Sequence, residues 1–217
     1  SYRSIIFDTP TDVLSGGKVS LTINDGGTDG DYTFAIGAGL TFEGAVDGDT
    51  TRLNINGLAY TLETSYASLS TAVSAVAGGR FALANDFDED GIAGLQSLKT
   101  GTAPYRGVLE GLGHTLSNLT IHDTSGGNVG LFRHLGGAFS VRNLGLVNVD
   151  FLGGDSAAVG GIAGVADLAG AGTNIRNVYV TGVIQGGAHA FVGGLVGQLG
   201  ITTTISTTPR SASTRTR

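Results

Sequence analysis

The chain has 217 residues, a net charge of −6 and no cysteine or methionine, which leaves room for one core or a stretch of solenoid and excludes disulfide frameworks and thiolate metal centres. Glycine supplies 38 residues and proline only three, without a G-x-Y period, so collagen is excluded. Charged residues make up 14%, well under the usual ~25%, and Ser, Thr, Asn and Gly fill the gap in a β-rich, turn-rich composition.

The first sixty residues give short alternating runs between Gly/Asp turns. KVSLTI places Val19, Leu21 and Ile23 on one face, TRLNING places Leu53 and Ile55 likewise, and AYTL continues as a strand. Residues 64–77, TSYASLSTAVSAVA, break the alternation: Tyr66, Leu69, Val73 and Val76 follow helical spacing, Thr64 or Ser65 can cap the start, and Gly78–Gly79 can end it. This predicts a helix of about three turns lying across a side or edge of the sheet. RFALANDFDEDG then reads as a strand entering a turn, followed by a loop through Tyr105 and the strand-like RGVLEG.

From residue 116 the chain repeats itself. LSNLTI, VRNLGLVNV and IRNVYVTGV share an apolar–x–Asn–apolar phrase, carrying Asn118, Asn143 and Asn177. Between them run NVGLFRHLG, AVGGIAGVA and FVGGLVGQL, with Val129, Val159 and Val192 separated by 30 and 33 residues. Repeats of this length indicate stacked supersecondary units in which one unit cannot bury its own apolar face. The three asparagines are then ladder or turn residues. Gly160, Gly161, Gly164, Gly193, Gly194 and Gly197 become corners, where positive φ carries no Cβ clash, or closely packed strand positions. A dinucleotide fingerprint needs G-x-G-x-x-G opening a helix, which this spacing does not give.

Few residues suggest chemistry. DFDEDG gathers Asp86, Asp88 and Asp90 as the first half of a calcium loop, the one candidate for a weakly bound Ca²⁺, but Ser97 stands where the bidentate Glu belongs. NDGGTDGD, with Asp25, Asp29 and Asp31, is a second acidic turn. His114, His122, His134 and His189 have no triad-like or zinc-like partner spacing and read as loop or surface residues. The carboxylates after residue 109 (Glu110, Asp123, Asp150, Asp155 and Asp167) form no evident catalytic pair, and no catalytic residue is assigned. Asn118-Leu-Thr120 matches a glycosylation acceptor pattern, although its repeated position favours packing. Basic residues stand singly until Arg210, Arg215 and Arg217 in a Ser/Thr/Arg tail, so nucleic acid is not an expected partner. There is no 18-residue apolar run for membrane insertion, and a start without Met or a signal pattern reads as a processed product or fragment.

RFALANDFDEDG, YRGVLEGLGHTLSNLTIHDTSGGNVGLFRHLG, VRNLGLVNV, AVGGIAG and AFVGGLVG together resemble the GLUG-repeat region of filamentous-haemagglutinin-like secreted bacterial adhesins and exoproteins, over about residues 60–200. Arg133, Leu112 and the tail after Gly200 depart from that pattern. The resemblance implies an all-β, right-handed parallel β-helix with one short helix on its side or edge. Its divisions would be N-terminal coils over 1–62, a helix-containing insertion with return strands over 63–110, GLUG-like repeats over 111–200 and a tail over 201–217. It further implies a non-catalytic, extracellular or cell-surface segment for attachment, biofilm or filament formation, with a surface glycan or protein as partner, or self-association. A carbohydrate-binding or carbohydrate-cleaving module, or a fibre subunit stacking through coil edges, are the alternatives.

Overall fold

The computed structural model describes residues 4–23, 30–99, 101, 103–167 and 173–200. The calls on Asp25, Asp29 and the 201–217 tail lie outside them. Over the described residues the chain folds as a parallel β-solenoid of about six turns with a single short helix.

Two coils open it. The first runs through β1 (Ser4–Phe7), β2 (Thr11–Val13) and β3 (Val19–Leu21); the second through β4 (Asp31–Phe34), β5 (Leu40–Phe42) and β6 (Asp49–Ile55). Each strand lies parallel to its counterpart, setting Phe7 beside Phe34, Val13 beside Phe42 and Leu21 beside Ile55. The Phe7 and Phe34 rings stack at 4.5 Å. Arg52 is buried, and its guanidinium donates to the carbonyls of Gly17, Glu43, Val13 and Leu14 at 2.8–3.1 Å while lying over the Phe42 ring. This cation pins the turns of both coils together.

The next strand departs from the parallel expectation. Asn56 and Gly57, with φ of 51° and 79°, reverse the chain into β7 (Leu58–Glu63), antiparallel to β6. An Asn-Gly pair with both φ positive is the natural two-residue hairpin turn, because its twist matches that of the strands.

Helix α1 (Tyr66–Ala75) follows. Its N-cap is Ser65, which forms a capping box with Ser68. Tyr66, Leu69 and Val73 are buried as their spacing predicts, but Val76 is the C-cap and is 54% exposed. The stripe is therefore one residue shorter than the sequence suggests. The buried face packs with Phe81, Leu98 and Tyr105 in the main core, so the helix covers the interior of the column that begins with the next strand, whose own edge is paired in parallel by β7, Thr61 beside Phe81.

That column has four coils. The first comprises β8 (Arg80–Leu83), β9 (Phe87–Asp88) and single bridging residues at Leu98 and Tyr105; the second β10 (Val108–Glu110), β11 (Thr115–Ser117), β12 (Thr120–Asp123) and β13 (Phe132–Gly136). The third comprises β14 (Ser140–Gly153), β15 (Ala158–Gly160) and β16 (Ala163–Asp167); the fourth β17 (Asn174–Gln185), β18 (Phe191–Gly193) and β19 (Val196–Leu199). Inward positions recur above one another: Phe81, Leu109, Val141 and Ile175; Phe87, Leu116, Leu146 and Val180; Ile121, Phe151 and Ile184; Val129, Val159 and Val192. The repeat of about thirty residues is thus one whole coil made of several short strands. Tyr105, read from sequence as a loop residue, is fully buried between Phe81 and Phe132, its ring 4.9 Å from the latter.

Strand alternation gives the two lobes a shared wall. In β8, Phe81 and Leu83 face the column, whereas Ala82, with Ala84 just beyond, faces the N-terminal coils. Together with Leu62 and Leu112 these outward residues complete the N-terminal core, and amides from β5 tie the wall: Leu40 donates to the Leu112 carbonyl and Phe42 to that of Ala84.

Candidate functional site at the seam between the lobes

Glu110 follows the inward Leu109 on β10, so the same alternation points it outward into the seam, where it is completely buried. Parallel register sets it beside Arg142, and Arg142 beside Arg176 on the next coil. Both Glu110 oxygens are saturated. Oε2 accepts from the Tyr32 hydroxyl at 2.5 Å and from Arg142 Nε at 2.9 Å; Oε1 accepts from Asn143 Nδ2 at 2.8 Å and from the Leu112 amide at 3.1 Å. Arg142 also donates to the Tyr32 hydroxyl and lies 4.4 Å over its ring. Asp31, at the start of β4, reaches Arg176 at 3.0 Å and Arg142 at 3.8 Å. Burial pushes the Glu110 carboxyl above its usual range, a rise that Arg142 and the Tyr32 hydrogen bond oppose; burial and the adjacent Glu110 also raise the Tyr32 phenol. Removing one partner from a buried ion pair of this kind is strongly destabilising, so the network ties the two surfaces together at this point.

Polar ladders flank the seam. Asn143 and Asn177 have positive φ, and the Asn177 amide donates to Asn143 Oδ1 at 2.8 Å, below which Asn143 donates to Glu110. Asn118 belongs to a different ladder, which corrects the alignment that grouped all three. Leu116 and Ile121 lie beside Leu146 and Phe151, so Asn118 sits beneath Asn148, whose amide donates to Asn118 Oδ1 at 2.6 Å, and itself donates to Asp88 at 2.7 Å. The third coil has asparagine at two positive-φ corners, Asn143 and Asn148, and VRNLGLVNV contains both. Asn148 was missed, although its residue type and positive φ mark it as an equal of the others. Its amide nitrogen and oxygen are both engaged, which holds Asn118 in the ladder.

The glycines act through close approach. A Cβ at Gly160, Gly161, Gly164, Gly193 or Gly197 would come within 2.8 Å of atoms from its own or a neighbouring coil, and none of the five has positive φ. At Gly161 the first atom met would be the carbonyl oxygen of Gly194. The positive-φ corner reading of these positions is therefore corrected: they are tight stacking positions.

The calcium candidates do not converge. Asp86 accepts from the Thr115 amide at 2.7 Å and faces His114 Nδ1 at 3.1 Å, whereas Asp88 accepts from Asn118 and from the Asp90 amide. Hydrogen bonds hold both carboxyls below their ordinary values, that from His114 first for Asp86 and that from Asn118 first for Asp88. Among the described residues no three His, Cys, Asp or Glu side chains are placed to share a metal ion. His114 also departs from the surface reading: it is 5% exposed, and its Nε2 lies 3.0 Å from the Leu40 carbonyl, bridging the lobes. His122 and His134 face Asp150 and Asp167 of the adjacent coil at 3.2 and 2.8 Å.

Beside the buried network the seam opens into a cleft of roughly 600 Å³, between β1, β4 and the turn after it on one side and β14 and β17 on the other. That volume lies within the range of small-molecule sites, about 300–1,000 Å³. Its walls include Ile6, Ile36, Asp31, Arg176 and Tyr179.

The chain is similar to halomucin. Identity with the Haloquadratum walsbyi (strain DSM 16790 / HBSQ001) protein is 36% over 110 residues, which is 51% of this chain and 1% of halomucin. No protein-family model matches the chain, and no solved structure does. Among the described residues no helix is long and apolar enough to cross a membrane.

Proposed function

We propose that this chain is a non-catalytic structural segment of a large exported surface protein, of the GLUG-repeat type, whose column carries or forms an attachment surface. The observation that carries this reading is the stacking of equivalent inward residues through four successive coils, with the corner asparagines bonded to one another. Such an arrangement commits the polar groups of each coil to its neighbours. The most buried carboxylate, Glu110, is enclosed by donors and closed to substrate, which supports a role without catalysis. Similarity to halomucin supports placement outside the cell.

Surface placement is tested by treating intact cells that make the native protein with a membrane-impermeant amine reagent. Lys18, which is exposed, is expected to be labelled before lysis; labelling only after lysis would sink the proposal. Attachment is tested separately, by whether beads coated with the purified chain are retained on cell layers more than uncoated beads.

A further inference from the structure

We propose that the cleft between the lobes binds a neutral saccharide. The inference rests on the geometry of the seam and stands apart from the surface-segment reading.

A pyranose ring has a C–H face that needs an apolar or aromatic shelf, and a hydroxyl edge that needs donors and acceptors side by side. The cleft supplies both. Tyr179 stands above Gly145 in the parallel register, and a Cβ at Gly145 would lie 2.5 Å from the tyrosine ring. Glycine there lets the ring lie against the backbone of the coil below and form part of the cleft wall. Across from it stand Ile6 and Ile36, which are 67% and 74% exposed, unusual for two large aliphatic side chains in one concavity. At the polar end, Arg176 and Asp31 are paired at 3.0 Å, with 57% of the arginine side chain exposed, so one planar group donates beside one that accepts.

Charge selects the class. Asp31 and Glu110 balance Arg142 and Arg176 within one connected network. An anion entering the cleft would meet the Asp31 carboxylate, and a cation would meet Arg176. A neutral polyol with adjacent hydroxyls can bond to both without breaking their pairing.

The test is a titration of the ¹⁵N-labelled full chain with maltotriose, cellotriose and mannotriose, with trigalacturonate and trialanine as the anionic and peptide comparisons. At least one neutral trisaccharide is expected to shift the Gly113 and Gly145 amides saturably. Tyr179→Ala should weaken that binding at least tenfold, about 1.4 kcal/mol, and Arg176→Ala three- to tenfold. Phe191→Ser, on the exposed surface of the last coil, should leave it unchanged, and Arg176→Ala carries the test if Tyr179→Ala fails to fold. The proposal is overturned if no neutral trisaccharide moves those amides, if binding survives both substitutions, if all three variants lose it alike, or if trigalacturonate or trialanine binds more tightly. Failure here would leave the labelling result at Lys18 as it is, so the two readings fall separately.

Discussion

The two lobes solve the same problem differently. The C-terminal column fills its interior with Leu, Val, Ile and Phe repeated at fixed positions, most of them fully buried, and packs α1 against its first coil. The N-terminal lobe has only two coils, relies on Tyr32, Phe34 and Phe42 and the pinned Arg52, and completes its core with residues from the outer wall of the column. Stacking becomes self-sufficient when enough coils bury one another. A two-coil unit has to borrow a surface, and the buried Glu110 network fixes where.

The largest expected effect comes from breaking that dependence. Glu110→Ala leaves Arg142 without its closest carboxylate and should cost about 3–5 kcal/mol, the usual result of removing one partner from a buried ion pair; denaturant unfolding should read it, and hydrogen exchange should show amides of β4 and β5 opening before those of β14. If β14 opens first, the dependence runs the other way. Next, Leu146→Ala at the centre of the column should cost about 3 kcal/mol and loosen both lobes. Arg52→Ala, which strips four carbonyls of their shared donor, should cost about 2 kcal/mol and loosen only the N-terminal coils. Exchange protection in the two lobes separates these outcomes. Asn148→Ala should cost about 1 kcal/mol through a lost ladder bond and a positive-φ position unsuited to alanine, measured as a shift in the unfolding midpoint.

Acid provides the gentlest probe. The Asp86 carboxyl is lowered by hydrogen bonds to its ionised form, so its contribution is present above the unfolded carboxylate value near pH 4 and disappears as pH falls through the lower folded value. Glu110 has the opposite sign: its raised value means that the folded chain takes up that proton first, which favours folding as pH falls through the folded value towards the unfolded one. Asp86→Asn should therefore flatten the fall in melting temperature between pH 5 and 3. An unchanged slope would remove Asp86 as a contributor.

The column was legible in the sequence for a physical reason: residues stacked in register face the same surroundings and so recur as the same types. Val129, Val159 and Val192 show it directly, and the stripe of Tyr66, Leu69 and Val73 was equally plain. Other features carry no such signal. Glu110 and Tyr32 meet across 78 residues, and nothing in RGVLEG distinguishes an outward glutamate destined for a seam from one facing water. The corner asparagines were found but misaligned, because two chemically identical corners lie five residues apart in one coil. The Asn-Gly hairpin was present as TRLNING and passed over in favour of strand alternation. The cleft depends on a lobe-to-lobe contact that a repeat pattern does not encode.

The coil length itself has a mechanical consequence. Adjacent coils rise by about 4.8 Å, while one circuit uses roughly thirty residues, as Val129 beside Val159 shows. Height therefore accrues at about 0.16 Å per residue, some tenfold less than along an α-helix. A column of this design lengthens slowly, because the residues of each circuit go into a wide cross-section, which resists bending.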